Sequence, residues 1–234
     1  MRRAGEEEEG AARTALEALC LAYWYPIYGF IRRQGHAHHE AEDLAQSFFS
    51  LLIANERIGQ ARQDRGRFRT FLLTALRHFL IDHWHRGRAA KRGAGEVPLP
   101  IDFAAAETTF QRELTDRALT PEQAFERSWA LGVIDLSLED LRIEYAAHGR
   151  ARLFAALAPL VWGGGPAGPL LPEAQRLGLQ EGALRVALHR FRKRLREQLI
   201  VRVTATIADG ASEAEVTDEL RFLIATLSTP FTSI

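Results

Sequence analysis

Apolar and polar positions follow a helical period over most of the chain. Leu44, Phe48, Leu51 and Leu52 fall at three- and four-residue steps, which predicts a helix with one apolar face. A second pattern predicts a longer helix over residues 68–85. Its apolar positions are Phe68, Phe71, Leu72, Ala75, Leu76, Phe79, Leu80 and Trp84.

Further helical patterns lie on both sides of this pair. One spans residues 14–33, and Pro26 is expected to kink or split it because proline lacks a backbone donor. Another begins at Thr120, a suitable N-cap that forms a capping box with Gln123, and Gly149 ends it. The remaining predicted helices cover residues 150–161, 172–177, 183–199 and about 216–227. The sequence therefore predicts an all-α fold.

Composition divides the chain into segments. Residues 93–119 lack a strong period and hold glycines, prolines and acids, which indicates a flexible linker. The first residues include the glutamate run Glu6–Glu9 and few apolar positions, which predicts disorder. We expect two helical domains joined by the linker. The segments are a disordered N-terminus (1–12), a helical bundle (13–92), the linker (93–119), a helix-turn-helix domain (120–200) and a C-terminal helical extension (201–234).

The charge distribution changes this picture, although the net charge of the chain is zero. Residues 62–92 hold nine Arg and Lys against two acids, a net charge of +7. Residues 176–202 hold eight against two, a net charge of +6. Between them, residues 101–144 hold ten acids against four Arg, a net charge of −6. Two basic patches on separate modules indicate two contacts with nucleic acid.

Several classes of protein are excluded by what the sequence lacks. No apolar run is long enough to span a bilayer, and the charged start does not resemble a signal peptide. The single Cys20 fits a reducing cytoplasm. Asp82 and His83 are adjacent and so face different ways on a helix, and no set of nucleophile, base and orienting residue is present, which argues against an enzyme. We expect no cofactor.

A cluster of histidines precedes the helix near residue 40. His36, His38 and His39 could ligate a metal, but no cysteine pair or second spaced histidine pair accompanies them. The sequence therefore favours a polar turn at this position and predicts no metal site.

Three motifs occur in a fixed order around these helices. They are Ala41-Glu-Asp-Leu-Ala-Gln-Ser-Phe-Phe, Arg65-Gly-Arg-Phe-Arg-Thr-Phe-Leu-Leu-Thr-Ala-Leu-Arg-His-Phe-Leu and Arg88-Ala-Ala-Lys-Arg-Gly. The series resembles the second conserved region of a bacterial sigma-70 family factor, and most closely that of the extracytoplasmic-function (ECF) group. The resemblance implies a domain that docks on the beta-prime clamp helices of core RNA polymerase and opens promoter DNA.

The resemblance also implies functional residues. The polymerase-binding residues would be Glu42, Asp43, Gln46 and Phe49. The residues that contact DNA at the −10 element would be Asn55, Arg57, Gln63, Arg67, Arg69, Arg77, His78, Trp84, Arg88, Lys91 and Arg92. The loop over residues 55–67 would hold a base flipped from the non-template strand, at a cost of a few kcal/mol of stacking. Which loop residue reads that base stays open.

The second basic patch has the order short helix, glycine turn, basic helix, which is the helix-turn-helix pattern. Residues 177–196 resemble the fourth conserved region of a sigma factor, which implies contact with the −35 element and with the beta flap of the polymerase. The DNA-contacting residues would be Glu181, Arg185, His189, Arg192, Lys193 and Arg196.

Two departures from the family pattern leave an alternative open. Ser47 stands where the docking motif often has an acid. The first helix of the helix-turn-helix starts at Pro172 and has Glu173 and Gln175 where aliphatic residues are usual. The alternative is a helix-turn-helix regulator that does not join RNA polymerase. The final helix resembles the tail of a sigma subgroup with a C-terminal extension, and an anti-sigma or other regulatory protein is a further candidate partner.

Overall fold

The computed structural model describes residues 22–54, 68–87, 103–113, 119–161, 170–207 and 212–228. The secondary structure of these described residues is all-α, which confirms the predicted fold class. The helices are α1 (22–33), α2 (His38–Ala54), α3 (Phe68–Gly87), α4 (Phe103–Glu113), α5 (Pro121–Ala147), α6 (Ala151–Leu157) with a 3-10 turn (Ala158–Leu160), α7 (Leu171–Arg176), α8 (Glu181–Ala205) and α9 (Glu213–Ser228). None of these helices is long and apolar enough to cross a bilayer.

The chain divides into two compact units. The first unit comprises the residues up to Gly132 together with those from Thr204 onward, and the second unit comprises Val133–Val203. Helices α5 and α8 therefore each contribute to both units. This division is defined by contacts within each unit, whereas the domains predicted from the sequence follow family regions. The boundaries of those predicted domains stay a prediction.

Helix α1 supplies the core of the first unit. Tyr23, Ile27, Tyr28 and Ile31 are all buried, because the helix is apolar on nearly every face and is therefore covered from several sides. The ring of Tyr23 meets Phe68 of α3 edge-on at 5.4 Å between centroids and stacks on Phe125 and Trp129 of α5.

The helix continues through Pro26, so the expected split does not occur. Buried residues on both sides of the proline pack into one core, and that packing offsets the lost hydrogen bond.

Helix α4 lies inside the segment that the sequence indicated as a linker. Among residues 105–111, whose side chains are described, Ala106 and Phe110 are the buried ones, and two positions are too short an apolar repeat to predict a helix. The ring of Phe110 meets Tyr28 at 6.4 Å, and the guanidinium of Arg32 lies 4.7 Å from the centre of the same ring. Contacts with α1 therefore stabilise α4, which the local sequence pattern does not predict.

The core of the second unit is formed by α6, α7, α8 and the end of α5. Its buried residues are Leu141, Leu157, Leu170, Ala174, Leu184, Leu188, Phe191 and Leu195. Gly178 has φ of +67°, which lets the chain turn sharply between α7 and α8. Helix α8 continues to Ala205, beyond the predicted end at residue 199, because Val203 is buried and Arg202 pairs with Asp140 at 2.6 Å.

Helix ends follow the predicted caps. The backbone N–H of Gln123 donates to the Thr120 hydroxyl at 3.2 Å, and the Gln123 side chain accepts from the Thr120 N–H at 3.0 Å. This confirms the capping box at the start of α5. Gly149 has φ of +68° just after α5, which confirms it as the end of that helix.

Candidate functional site

The outer edge of α2 carries the residues predicted to bind polymerase. Asp43 is exposed, and Glu42 and Gln46 are partly exposed, while Leu44 and Phe48 between them are buried. Residues three and four apart lie on one face of a helix, so these polar side chains form one strip. We call Glu42, Asp43 and Gln46 the α2 edge.

Phe49 requires a correction. Its side chain is 3% exposed and its ring packs 6.3 Å from that of Phe48, so it belongs to the core of the first unit and not to a docking surface. Ser47, which departs from the family pattern, is exposed. An aromatic residue within an apolar repeat is equally suited to the core and to an interface, so the sequence could not separate the two.

A polar network lies behind the α2 edge. The Tyr28 hydroxyl donates to Glu107 Oε2, and Arg32 holds both oxygens of Glu107, with Nε at 3.0 Å and Nη2 at 2.8 Å. His38 Nδ1 lies 2.7 Å from the Tyr28 hydroxyl oxygen. The Arg32 hydrogen bond lowers the pKa of Glu107 to about 2, and burial raises the pKa of Tyr28. The sequence gave no signal for this network, since Glu107 lies on the unpredicted α4.

Helix α3 presents an exposed strip toward its C-terminal end. Arg77, His78, Ile81 and Trp84 are all exposed, and the Trp84 side chain remains 59% accessible. Arg77 pairs with Glu122 of α5 at 2.5 Å across the surface of the first unit. Because a large indole and an isoleucine in water indicate a contact site, this strip suits a partner with flat apolar surfaces.

The prediction for Arg69 also requires a correction. It was expected to contact DNA at the −10 element, but it is 4% exposed and its Nε donates to Glu219 Oε1 of α9 at 3.0 Å. Its guanidinium lies 3.5 Å from the centre of the Phe222 ring and 5.3 Å from that of Trp129. A buried arginine held by a buried carboxylate cannot reach DNA from this position, so Arg69 stabilises the first unit.

Seven of the predicted DNA-contacting residues lie outside the described residues. They are Asn55, Arg57, Gln63, Arg67, Arg88, Lys91 and Arg92. Of the set predicted for the −10 element, the structure therefore brings together Arg77, His78 and Trp84 on α3.

The start of α8 carries the residues predicted to read the −35 element. Arg185 and His189 are exposed, and Glu181 is partly exposed one turn before Arg185. Glu181 accepts a hydrogen bond from Arg185 Nη2 at 2.6 Å. Exposed ion pairs of this kind contribute at most about 1 kcal/mol. Breaking the pair so that both side chains can bind base edges therefore costs little free energy.

Further along α8, the basic residues divide by their contacts. Lys193 and Arg196 are exposed, whereas Arg192 is partly buried and donates to the Leu160 carbonyl at 2.9 Å.

A cavity of about 340 Å³ in the second unit is lined by Glu144, Tyr145, His148, Arg150, Arg190, Lys193, Arg194 and Glu197. Four cations against two acids make this cavity suitable for an anion such as a backbone phosphate.

Comparison with known proteins found one family match, and it lies in the first unit. No curated protein and no solved structure showed significant similarity to the chain. Residues 22–90, which include α1, α2 and α3, match the family described as Sigma-70 region 2. This match covers the α2 edge and the exposed strip of α3, so this part of the chain is similar to region 2 of the sigma-70 transcription initiation factors.

Proposed function

We propose that this chain is an ECF-type sigma factor that binds core RNA polymerase, recognises the −10 and −35 elements of a promoter and initiates transcription. The observation that carries the proposal is the α2 edge, an exposed polar strip inside the segment that matches Sigma-70 region 2. We propose further that the chain acts in the cytoplasm, where polymerase is found.

The polymerase contact is assigned to the α2 edge. Asp43 supplies an exposed charge, and Glu42 and Gln46 supply acceptors on the same face. This surface is complementary to the basic groups of a coiled coil, the chemistry expected of the beta-prime clamp helices. With Phe49 in the core, recognition rests on polar side chains, so we expect the contact to weaken with salt.

Promoter opening is assigned to the strip on α3. Trp84 offers a face on which an unstacked base can lie, and such stacking contributes about 1–3 kcal/mol per base. Arg77 is available for phosphate because its pair with Glu122 is largely exposed and therefore weak. The loop before α3 is proposed to hold the flipped base.

Recognition of the −35 element is assigned to α8. Arg185 can donate two hydrogen bonds to guanine and Glu181 can accept one from cytosine, each contributing about 1–3 kcal/mol of discrimination. Lys193 and Arg196 are assigned to phosphates further along the duplex. We propose the beta flap as the polymerase contact of this domain, and an anti-sigma protein as a regulatory partner.

The test measures assembly of the chain with core RNA polymerase. Asp43→Arg should lower the affinity at least tenfold, because it places a like charge against a basic surface. Glu213→Arg is the matched control, since it makes the same change of charge at an exposed position of α9. Equal affinity of the Asp43 variant and the control would refute the assignment of the α2 edge.

The alternative is a DNA-binding regulator that does not join polymerase. It is favoured only by the basic face of α8, which any helix-turn-helix protein would share. Sequence-specific binding to DNA together with no assembly on core polymerase would establish this alternative.

A further inference from the structure

Three potential metal ligands converge at the start of α2. His38 Nε2 lies 3.3 Å from Glu42 Oε1, and His39 Nδ1 lies 3.3 Å from Glu42 Oε2. All of these ligand atoms lie within 4.8 Å of one another. The sequence placed the histidines in a turn before the helix, but α2 begins at His38, which brings Glu42 one helical turn after both rings.

The network behind the α2 edge sets the tautomer of His38. The Tyr28 hydroxyl has one proton, and it is donated to Glu107. The 2.7 Å contact between that hydroxyl oxygen and His38 Nδ1 therefore requires Nδ1 to be the donor. In the neutral ring this leaves the lone pair on Nε2, the atom that faces Glu42.

The contact between His38 and Glu42 is favourable only with a cation between the two groups. A lone pair on His38 Nε2 and a carboxylate oxygen at 3.3 Å repel each other unless a proton or a metal ion lies between them. Histidines that bind metals usually donate their other ring N–H to an oxygen, which fixes the ring in the ligating orientation. Tyr28, held in turn by Glu107, provides that second contact for His38.

The spacing fits zinc. Bonds of about 2.0–2.2 Å from tetrahedral Zn²⁺ to imidazole nitrogen and carboxylate oxygen place two ligand atoms about 3.4 Å apart. Both nitrogen-to-oxygen distances are 3.3 Å. We propose that His38 Nε2, His39 Nδ1 and the Glu42 carboxylate bind a divalent transition-metal ion of the zinc class. Within the described part of the chain the group has three members, and the 90% exposure of the His39 side chain leaves a fourth position accessible to water.

The site has a consequence that rests on the proposed function. Glu42 belongs to the α2 edge, and a carboxylate that ligates a metal is neutralised and fixed. Bound zinc would therefore withdraw one acceptor from the polymerase contact and add positive charge beside Asp43. We infer that zinc lowers the affinity of the chain for core polymerase.

The first experiment is titration of the full chain with zinc chloride by calorimetry. We expect one ion per chain, with the affinity lowered at least tenfold in His39→Ala and in Glu42→Gln. Tyr28→Phe keeps the buried ring and removes only the hydroxyl that orients His38, so it should lower the affinity about tenfold. His36→Ala is the matched control, because this neighbouring histidine pairs with Glu40 instead.

Two results of the titration would overturn the site. One is an affinity for zinc that is the same in the wild type, His39→Ala and Glu42→Gln. The other is a loss in His36→Ala as large as that in His39→Ala, which would place the ion elsewhere among the histidines. Circular dichroism of each variant confirms that the fold is retained.

The second experiment repeats the polymerase assembly assay with and without zinc. Zinc should weaken assembly of the wild type severalfold and leave His39→Ala unchanged. Zinc binding without any assembly on polymerase would refute the proposed function and leave the site intact. Normal assembly without zinc binding would refute the site and leave the proposed function intact. Zinc binding with assembly unaffected by zinc would refute the coupling between them.

Discussion

The buried pair between Arg69 and Glu219 permits a quantitative prediction. Replacing Arg69 by methionine keeps much of the side-chain volume but leaves the carboxylate of Glu219, which is 2% exposed, without its guanidinium. Removing one partner of a buried ion pair costs about 3–5 kcal/mol, because the remaining charge loses its counter-charge while it stays away from water. The contact of the guanidinium with Phe222 at 3.5 Å is lost as well, so we expect the upper part of that range.

The assay is urea unfolding, followed by both circular dichroism and tryptophan fluorescence to establish whether the transitions coincide. Glu219→Leu should cost a similar amount, because it removes the carboxylate that accepts the hydrogen bond from the buried Arg69 Nε. The double variant Arg69→Met with Glu219→Leu should recover several kcal/mol of the summed loss, since two apolar side chains can pack where two charges stood.

A control on the same helix separates this effect from general damage to α9. Arg221 pairs with Asp218 at 2.8 Å, but both side chains are largely exposed. Arg221→Met should therefore change the free energy of unfolding by less than about 1 kcal/mol. The reasoning would be refuted by a loss in Arg69→Met as small as that of the control, or by additive losses in the double variant.

Three further predictions concern separate parts of the chain. Trp84→Ala should leave the melting temperature nearly unchanged, because the side chain is 59% exposed, and should slow promoter opening in a permanganate footprint. Glu107 has a pKa of about 2 in the folded chain, below its ordinary value, so its contribution to stability is present above about pH 4.5 and is lost as the pH falls toward 2. Glu107→Gln should flatten the dependence of unfolding on pH in that window, and an unchanged slope would contradict the network. Gly178→Ala should destabilise the second unit by about 1–2 kcal/mol because of its φ of +67°, whereas Gly182→Ala, inside α8 with open space around it, should stabilise it by about 0.5–1 kcal/mol.

The corrections share a physical cause. Arg69 lies among the basic residues of a charged segment, so its sequence neighbours suggested a contact with DNA. Its partner Glu219 lies 150 residues away, on a helix that belongs to the same compact unit. Phe49 was assigned to a surface for a similar reason, since the choice between core and interface depends on what covers the ring.

The sequence by itself determined the helical fold class, the capping box of α5, the glycine that ends α5 and the basic character of α3 and α8. These features depend on residues within one or two helical turns of one another, where periodicity and caps act directly. It also supplied the ordered motifs that resemble a sigma factor, and residues 22–90 match that family.

Only the tertiary structure decided which charged residues face water and which are held inside. Helix α4 forms because Phe110 and Glu107 meet Tyr28 and Arg32 of α1, and His38 receives its tautomer from the same contacts. Burial of a charge, and the orientation of an imidazole, are determined by partners that arrive from distant parts of the chain. No local pattern contains them, because the free energy that selects them exists only once the helices are packed together.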